Sequence, residues 1–373
     1  MKPVKFAIVG CGRIAYRHIE AIQLTPNADL VALCDLDLAR AQERNVPTKV
    51  KVYQDYRDML TKEDIDVVCI MTPSGMHAEH AIDIIENFNK HVLIEKPMCL
   101  NVADGEQMIT AAARHKVHIF VVHQNRYNKA VQKIKSAIET QLFGKLVLGT
   151  VRIRWSRGES YYSHEPWRGK WAFDGGVLTN QAIHHIDLLR WLVGDVESLS
   201  AVAATQLVNV EVEDTACVWL KFKNGALGAI EATTATRPLN KDIEASISIL
   251  GANGVAIAEG ASVNKINTWS LSEINLSEYC EEPPNVYGFG HDHIINNVVD
   301  VLSVGGTPLV TGQDALESVR LLNAIYASIE SGSKKVFLNQ NPTSKKLGVI
   351  DETSKDIANL YRTEVAIKRI THV

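Results

Sequence analysis

A chain of 373 residues with 46% hydrophobic content is long enough for two domains and a substantial buried core. Its formal net charge of −4 offers no broad basic footprint, which argues against a nucleic-acid or anionic-membrane partner. No apolar run reaches membrane length, and "MKPVK" passes straight into "FAIVG" and its glycines, so a cytoplasmic protein with no membrane partner is expected.

Through the first 125 residues, apolar β-rich runs ("VKFAIVG", "DLVALCD", "DVVCIMT", "HVLIEK", "HIFVVHQ") alternate with helix-period segments such as "RIAYRHIEAIQL" and "HAEHAIDIIENF". Strands apolar on both faces and separated by helices indicate a covered parallel sheet, hence an α/β, doubly wound, Rossmann-type domain. Its first turn, "GCGRIA", places Gly10, Gly12 and Ala15 in the spacing of a dinucleotide fingerprint, with Arg13 and Ile14 at the opening of the next helix. Gly12 would let a pyrophosphate approach backbone amides at the positive helix end. The next strand ends at Asp35, 20 residues after Ala15, where a carboxylate accepts hydrogen bonds from ribose and repels a 2′-phosphate. NAD is therefore favoured over NADP, although Arg40 lies nearby.

Two later strand ends also carry groups that a core does not need: Thr72, Pro73 and His77 in "TPSGMH", and Glu95, Lys96 and Pro97 in "EKPM". Ligands of open α/β sheets bind outside the carboxyl ends of the strands, so Lys96 is expected toward the nicotinamide half of the cofactor. His77 serves equally well as a packing or capping group.

Beyond residue 144 come alternating β-rich runs and turns such as "KNG" and "GANG", interrupted by "DGGVLTNQAIHHID". A helix beginning near Thr179 would set Asn180, His184 and Asp187 along one polar stripe, with Ile183, Leu189 and Trp191 opposite. His185, about 100° around the helix from His184, is assigned to packing or the subunit surface. In "CVWLKF", Val218, Leu220 and Phe222 share one side and suit a subunit interface. Tyr287 and His291 could reach a nucleotide or serve equally well in core or capping roles, and "DALESVRLLNAIYASIESG" is helical to Gly332. The six cysteines contain no C-x-x-C pair and read as small buried hydrophobes; no metal site is expected.

Taken in order, "AIVGCGRIA", "TPSGMH", "EKPM", "HQNRYN" and "GGVLTNQAIHHID" resemble the glucose-fructose oxidoreductase and inositol dehydrogenase (Gfo/Idh/MocA) family, from about Lys5 to about Leu338. The resemblance implies a second, α+β domain with a large, mostly antiparallel open sheet, and a homodimer or homotetramer. Expected boundaries are 1–125 for the NAD-binding domain, 126–340 for substrate binding and oligomerisation, and 341–373 for a tail. The resemblance carries catalytic roles to Lys96, Asn180 and His184, and places Glu95 and Gln124 near the cofactor. Asn180 stands where many members have Asp, and Ala182 where many have Gly. That Asn, with Ser156, Arg157, Gly158, Tyr161 and the later "WRG" containing Arg168, resembles the subgroup of UDP-N-acetylglucosamine and UDP-N-acetylglucosaminuronate 3-dehydrogenases. Guanidinium groups recognise diphosphate or carboxylate, and aromatics stack on sugar or base, so Arg157, Tyr161, Arg168, Asn180 and Asp187 are the expected substrate contacts.

Such an enzyme would oxidise the C3 hydroxyl of a UDP-linked N-acetylated sugar or sugar acid, and its keto product would feed an aminotransferase. His184 is the expected base, held by Asp187 or a backbone group, while Lys96 stabilises the developing oxyanion and Asn180 orients the sugar. The alternatives are an inositol or free-sugar dehydrogenase, an NAD-dependent glycoside hydrolase of the same family, and a non-catalytic sensor.

Overall fold

The computed structural model describes residues 2–44, 46–47, 49–238, 242–260, 262–282 and 288–362. Tyr287 and the end of the tail therefore lie outside the described residues. The chain divides into two compact units. One holds the residues up to Val122, then His291–Leu316 and the chain from Gly348; the other holds His123–Gly290 and Glu317–Leu347. The described tail residues from Gly348 fall within the first unit. Within the first unit, Arg362 donates to both carboxylate oxygens of Glu79, and a Cβ at Gly348 would stand 2.8 Å from Leu100.

The first unit is built on β1 (Val4–Val9), β2 (Ala28–Cys34), β3 (Lys51–Tyr53), β4 (Val67–Ile70), β5 (His91–Ile94) and β6 (Ile119–Val121), in the order β3-β2-β1-β4-β5-β6. Every pairing is parallel. All four residues of β4 are buried, as a sheet covered on both faces requires. Strand β3 has no counterpart among the five expected runs, because three residues with none buried carry no periodic signal. The helix Ala15–Leu24 buries Ala15, His18, Ile19 and Ile22 along one stripe and begins two residues after Arg13. The helix His77–Phe88 coincides with its predicted segment.

The second unit carries β7 (Leu146–Arg154), β8 (Val196–Ala204), β9 (Thr215–Phe222), β10 (Leu227–Thr233), β11 (Glu244–Gly251), β12 (Gly254–Glu259), β13 (Lys265–Trp269) and β14 (Val336–Phe337). They form one sheet in the order β13-β12-β11-β7-β10-β9-β8-β14, antiparallel except where β10 runs parallel to β7. On β9, Val218, Leu220 and Phe222 are buried, whereas Cys217, Trp219 and Lys221 point outward. This reverses the interface expected from "CVWLKF". The larger apolar set suits a subunit contact by composition, but each such side chain gains about 1.5–3 kcal/mol by burial and so defines the core side. The outer face shows Trp219, 69% exposed, beside Arg152 and Arg154 paired with Glu231 and Glu244. Cys217 is exposed and Cys280 half-buried, while Cys11, Cys34, Cys69 and Cys99 are buried as expected. Among the described residues, no helix is long and apolar enough to cross a membrane.

The single helix expected from Thr179 is broken. A short helix Val177–Asn180 closes with a bond from the Ala182 amide to the Val177 carbonyl, five residues back, and a second helix runs Ile183–Val193. Such a wide turn resets the angular phase, so Asn180 does not share one continuous stripe with His184 and Asp187.

Candidate active-site residues

In the first unit the turn after β1 is held from two sides. The Cys11 amide donates to Asp35 Oδ2 at 2.7 Å, and Arg44 Nε donates to the Cys11 carbonyl at 3.0 Å. Gly10 has φ +93°, and a Cβ there would stand 2.8 Å from the Met71 carbonyl, so only glycine lets β1 end against β4. At Gly12 a Cβ would meet nothing within 4 Å, so the face above the turn is open. Asp35 Oδ1 also accepts the Asp37 amide, 2.9 Å away, which fixes its carboxylate while leaving lone pairs for ribose hydroxyls. Gly10, Gly12 and Asp35 thus fit a dinucleotide. Arg13 is exposed and Ile14 half-buried at the same turn.

At the next strand ends, Thr72 Oγ1 lies 3.0 Å from His80 Nδ1, and Pro73 is buried. His77 is buried, with its ring nitrogens each 2.8 Å from a backbone carbonyl, of Pro97 and of Thr72. It braces the Thr72 and Lys96 loops against each other and offers no nitrogen to the cofactor, so the packing reading of His77 replaces the cofactor contact. Glu95 is also buried. Its Oε1 lies 2.9 Å from His18 Nε2 and 3.7 Å from His291 Nε2, and its Oε2 accepts the Lys96 amide at 3.1 Å. Burial raises this carboxyl, but the hydrogen bond from His18 and the pull of His291 outweigh it and hold Glu95 well below the usual carboxylate range. His18, Glu95 and His291 bring three metal-type donor atoms within 4.8 Å of one another. The bond from His18 accounts for the closest pair without an ion.

In the second unit, His184 stands at the start of Ile183–Val193, half-buried, and the Gln124 side-chain amide donates to its Nε2 over 3.4 Å. Gln124 Oε1 is buried and makes no hydrogen bond. His185 is buried against Trp155, and burial lowers its pKa to about 4. Asp187 does not reach toward a ligand. It is fully buried, accepts from Arg126 Nε and Nη2 at 2.7 and 2.6 Å, and accepts from Ser318 at 2.7 Å. Burial raises its carboxyl, and the Arg126 charge drives it far below the ordinary range. The expected substrate contact at Asp187 is therefore a structural ion pair, because a carboxylate desolvated this far is stable only against a fixed cation.

Asn180 donates through Nδ2 to Asp174, whose other oxygen accepts the Gly169 amide at 2.9 Å. Arg157 is half-buried and paired with Asp242 at 2.9 Å, while its guanidinium lies 5.5 Å from the Tyr161 ring centre. Arg168 stacks over Tyr161 at 4.1 Å and Trp167 at 4.9 Å, and its buried Nε makes no hydrogen bond. Arg157 is thus largely neutralised by Asp242, whereas the Arg168 guanidinium stacks on two aromatic rings. Asp174 holds Asn180, and Arg126 and Ser318 hold Asp187; the sequence reasoning singled out none of these three. The clue for Asp174 was its place before two glycines, and Arg126 stood inside "HQNRYN".

Residues 4–123 match the oxidoreductase family described as an NAD-binding Rossmann fold, and residues 135–338 match its C-terminal alpha/beta domain. The chain belongs to this Gfo/Idh/MocA oxidoreductase family. As a member it is an NAD-dependent dehydrogenase. The WlbA dehydrogenase from Bordetella pertussis, solved in complex with NADH and UDP-GlcNAcA, is 39% identical, with 90% of this chain and 98% of that one covered at a TM-score of 0.85. WlbA from Chromobacterium violaceum, solved with the same two ligands, is also 39% identical over 90% and 96%, with a TM-score of 0.82. Myo-inositol 2-dehydrogenase of Thermotoga maritima is 27% identical over 334 residues, 88% of this chain and 96% of its own.

Proposed function

We propose that this oxidoreductase removes hydride from C3 of a UDP-linked N-acetylated sugar, with the uronate UDP-GlcNAcA as first candidate. The observation that carries this reading is the 39% identity, spread over nearly the whole length of two dehydrogenases that bind that ligand, against 27% to the inositol enzyme. Arg168 on Tyr161 and Trp167 gives an anionic group of such a ligand a cationic and aromatic partner, which a neutral inositol does not use.

NAD⁺ supplies the hydride acceptor when bound, and Gly10, Gly12, Asp35 and the Thr72 loop are the groups that would hold it. His184 takes the hydroxyl proton through Nε2. Lys96 donates to the same oxygen as it becomes anionic, and Asn180, fixed by Asp174, orients the ring. Lys96→Ala should lower kcat by about 10²–10³, the cost of one oxyanion donor, and leave NAD affinity nearly unchanged. The deciding assay follows NADH absorbance with NAD⁺ and UDP-GlcNAcA or UDP-GlcNAc, with and without 2-oxoglutarate, beside inositols and free sugars. Turnover confined to UDP-sugars supports the reading. Turnover confined to inositol or a free sugar overturns it, and glycoside cleavage without net NADH would point to the hydrolase alternative.

We further propose that a second copy of the chain covers the outer face of the eight-stranded sheet around Trp219. Trp219→Lys should then shift the native mass measured by light scattering toward the monomer. An unchanged mass would remove this face from the interface.

A further inference from the structure

Glu213 is a buried carboxyl with no part in the roles above, and it sits beneath the segment that carries Asn180. Its backbone carbonyl accepts the Val177 amide at 3.0 Å, and its Oε1 accepts the Leu178 amide, also at 3.0 Å. These are two of the amides that a helix N-terminus leaves unpaired, here in the helix Val177–Asn180. Oε1 also accepts from Tyr326 Oη at 2.8 Å, and Tyr326 Oη lies 2.8 Å from Thr179 Oγ1. A Cβ at Gly176 would overlap both the carbonyl and the carboxylate of Glu213, so glycine is what admits this contact. Oε2 is buried and makes no hydrogen bond.

We propose that Glu213 is the positioning residue for Asn180, capping the short helix and locking it through Tyr326 to the helix Gly312–Glu330. This rests on the reading that Asn180 orients the substrate. The groups facing Glu213 are Tyr326 from that long helix, the Leu178 amide from the short one and Asp174 from the preceding loop, while Thr179 meets Tyr326. Burial pushes its carboxyl up to about 7, and Asp174 adds to the rise against the hydrogen bonds. Asp174 is also the acceptor that holds Asn180. When Glu213 ionises, two buried carboxylates repel each other beneath one helical turn, and the one displaced carries the substrate-orienting amide. The platform is therefore in order below neutrality and loosened above it.

Glu213→Gln keeps the Oε1 acceptor and removes the ionisation. Hydrogen exchange of the segment 177–180, corrected for intrinsic rate, should lose protection above pH 7 in the wild-type protein and stay flat in Glu213→Gln. On whichever sugar the enzyme turns over, the kcat profile should lose a descending limb near pH 7 in the same variant. Tyr326→Phe, which leaves the carboxyl in place, should lower kcat about ten- to hundredfold through misplacement of Asn180, with NAD affinity unchanged. Flat exchange in the wild type overturns the capping role, as does a kcat profile that is identical in both proteins. The exchange measurement needs no substrate, so it decides the capping role even if the UDP-sugar reading fails.

Discussion

Glu95 in the first unit and Glu213 in the second are both removed from water, and each lies beside a residue assigned to catalysis. Glu95 meets His18 at 2.9 Å and is held as an anion; Glu213 meets Tyr326 and one amide at similar lengths and is pushed up to about 7. Burial acts alike on the two. What differs is the neighbours: imidazole hydrogen bonds hold Glu95 down, whereas the charge acting on Glu213 is that of another carboxylate, Asp174. Burial alone thus does not say whether an acid is charged. Asp187 marks the far end of the series, with a guanidinium that cannot be neutralised.

The largest effect expected from this ordering is at Asp187. Arg126→Met would leave a buried carboxylate without its cation and should cost about 3–5 kcal/mol in denaturant unfolding. A cost below about 1 kcal/mol, the scale of an exposed pair, would show that the pair is not desolvated.

Next comes the pH dependence of stability, where the two glutamates should act with opposite sign. Glu213 has a raised folded pKa, so the unfolded chain gives up its proton first, and stability falls as pH climbs from about 4.5 toward 7. Glu213→Gln should gain about 2 kcal/mol on the wild type between pH 5 and pH 8. Glu95 has a depressed folded pKa, so its contribution is intact above about 4.5 and lost as pH falls further. Burial lowers His18 as well, so the folded state resists its protonation and stability begins to drop below about 6.5. His18→Gln should remove that first part of the acid slope and keep a donor to Glu95. An unchanged slope would mean that His18 titrates alike in both states.

The sequence displayed the first unit well because its signals are local. Gly10, Gly12 and Asp35 act through backbone geometry and strand-end position, and the periodicity of His77–Phe88 is visible within twelve residues. The second unit hides its logic in long-range pairs. Glu213 is 35 residues from Leu178 and 113 from Tyr326, and Asp187 is 61 from Arg126, so no window along the chain joins them. The break at Gln181 and Ala182 was equally silent, since both residues tolerate a helix and only the five-residue turn sets the new phase. Spacing within 180–187 could therefore not reveal that Asp187 pairs with Arg126 rather than with His184.

The smallest effect applies the same rule to thiols. Burial pushes Cys11 up to about 12, with Asp35 acting in the same direction against Arg44 and Arg40, so almost no thiolate forms near pH 8. Iodoacetamide should leave Cys11 and the other three buried cysteines unmodified in the native protein and reach them on unfolding. Cys217 differs because it faces outward on β9, the same side as Trp219. If a second copy covers that face, Cys217 should be protected at high protein concentration and labelled on dilution, whereas labelling independent of concentration would leave the face open. A labelled Cys11 in folded protein would mean that a permanent cation, here Arg44, governs a buried acid even when burial and a neighbouring carboxylate oppose it. That outcome would draw Cys11 toward the Asp187 end of the series and weaken the contrast on which Glu213 depends.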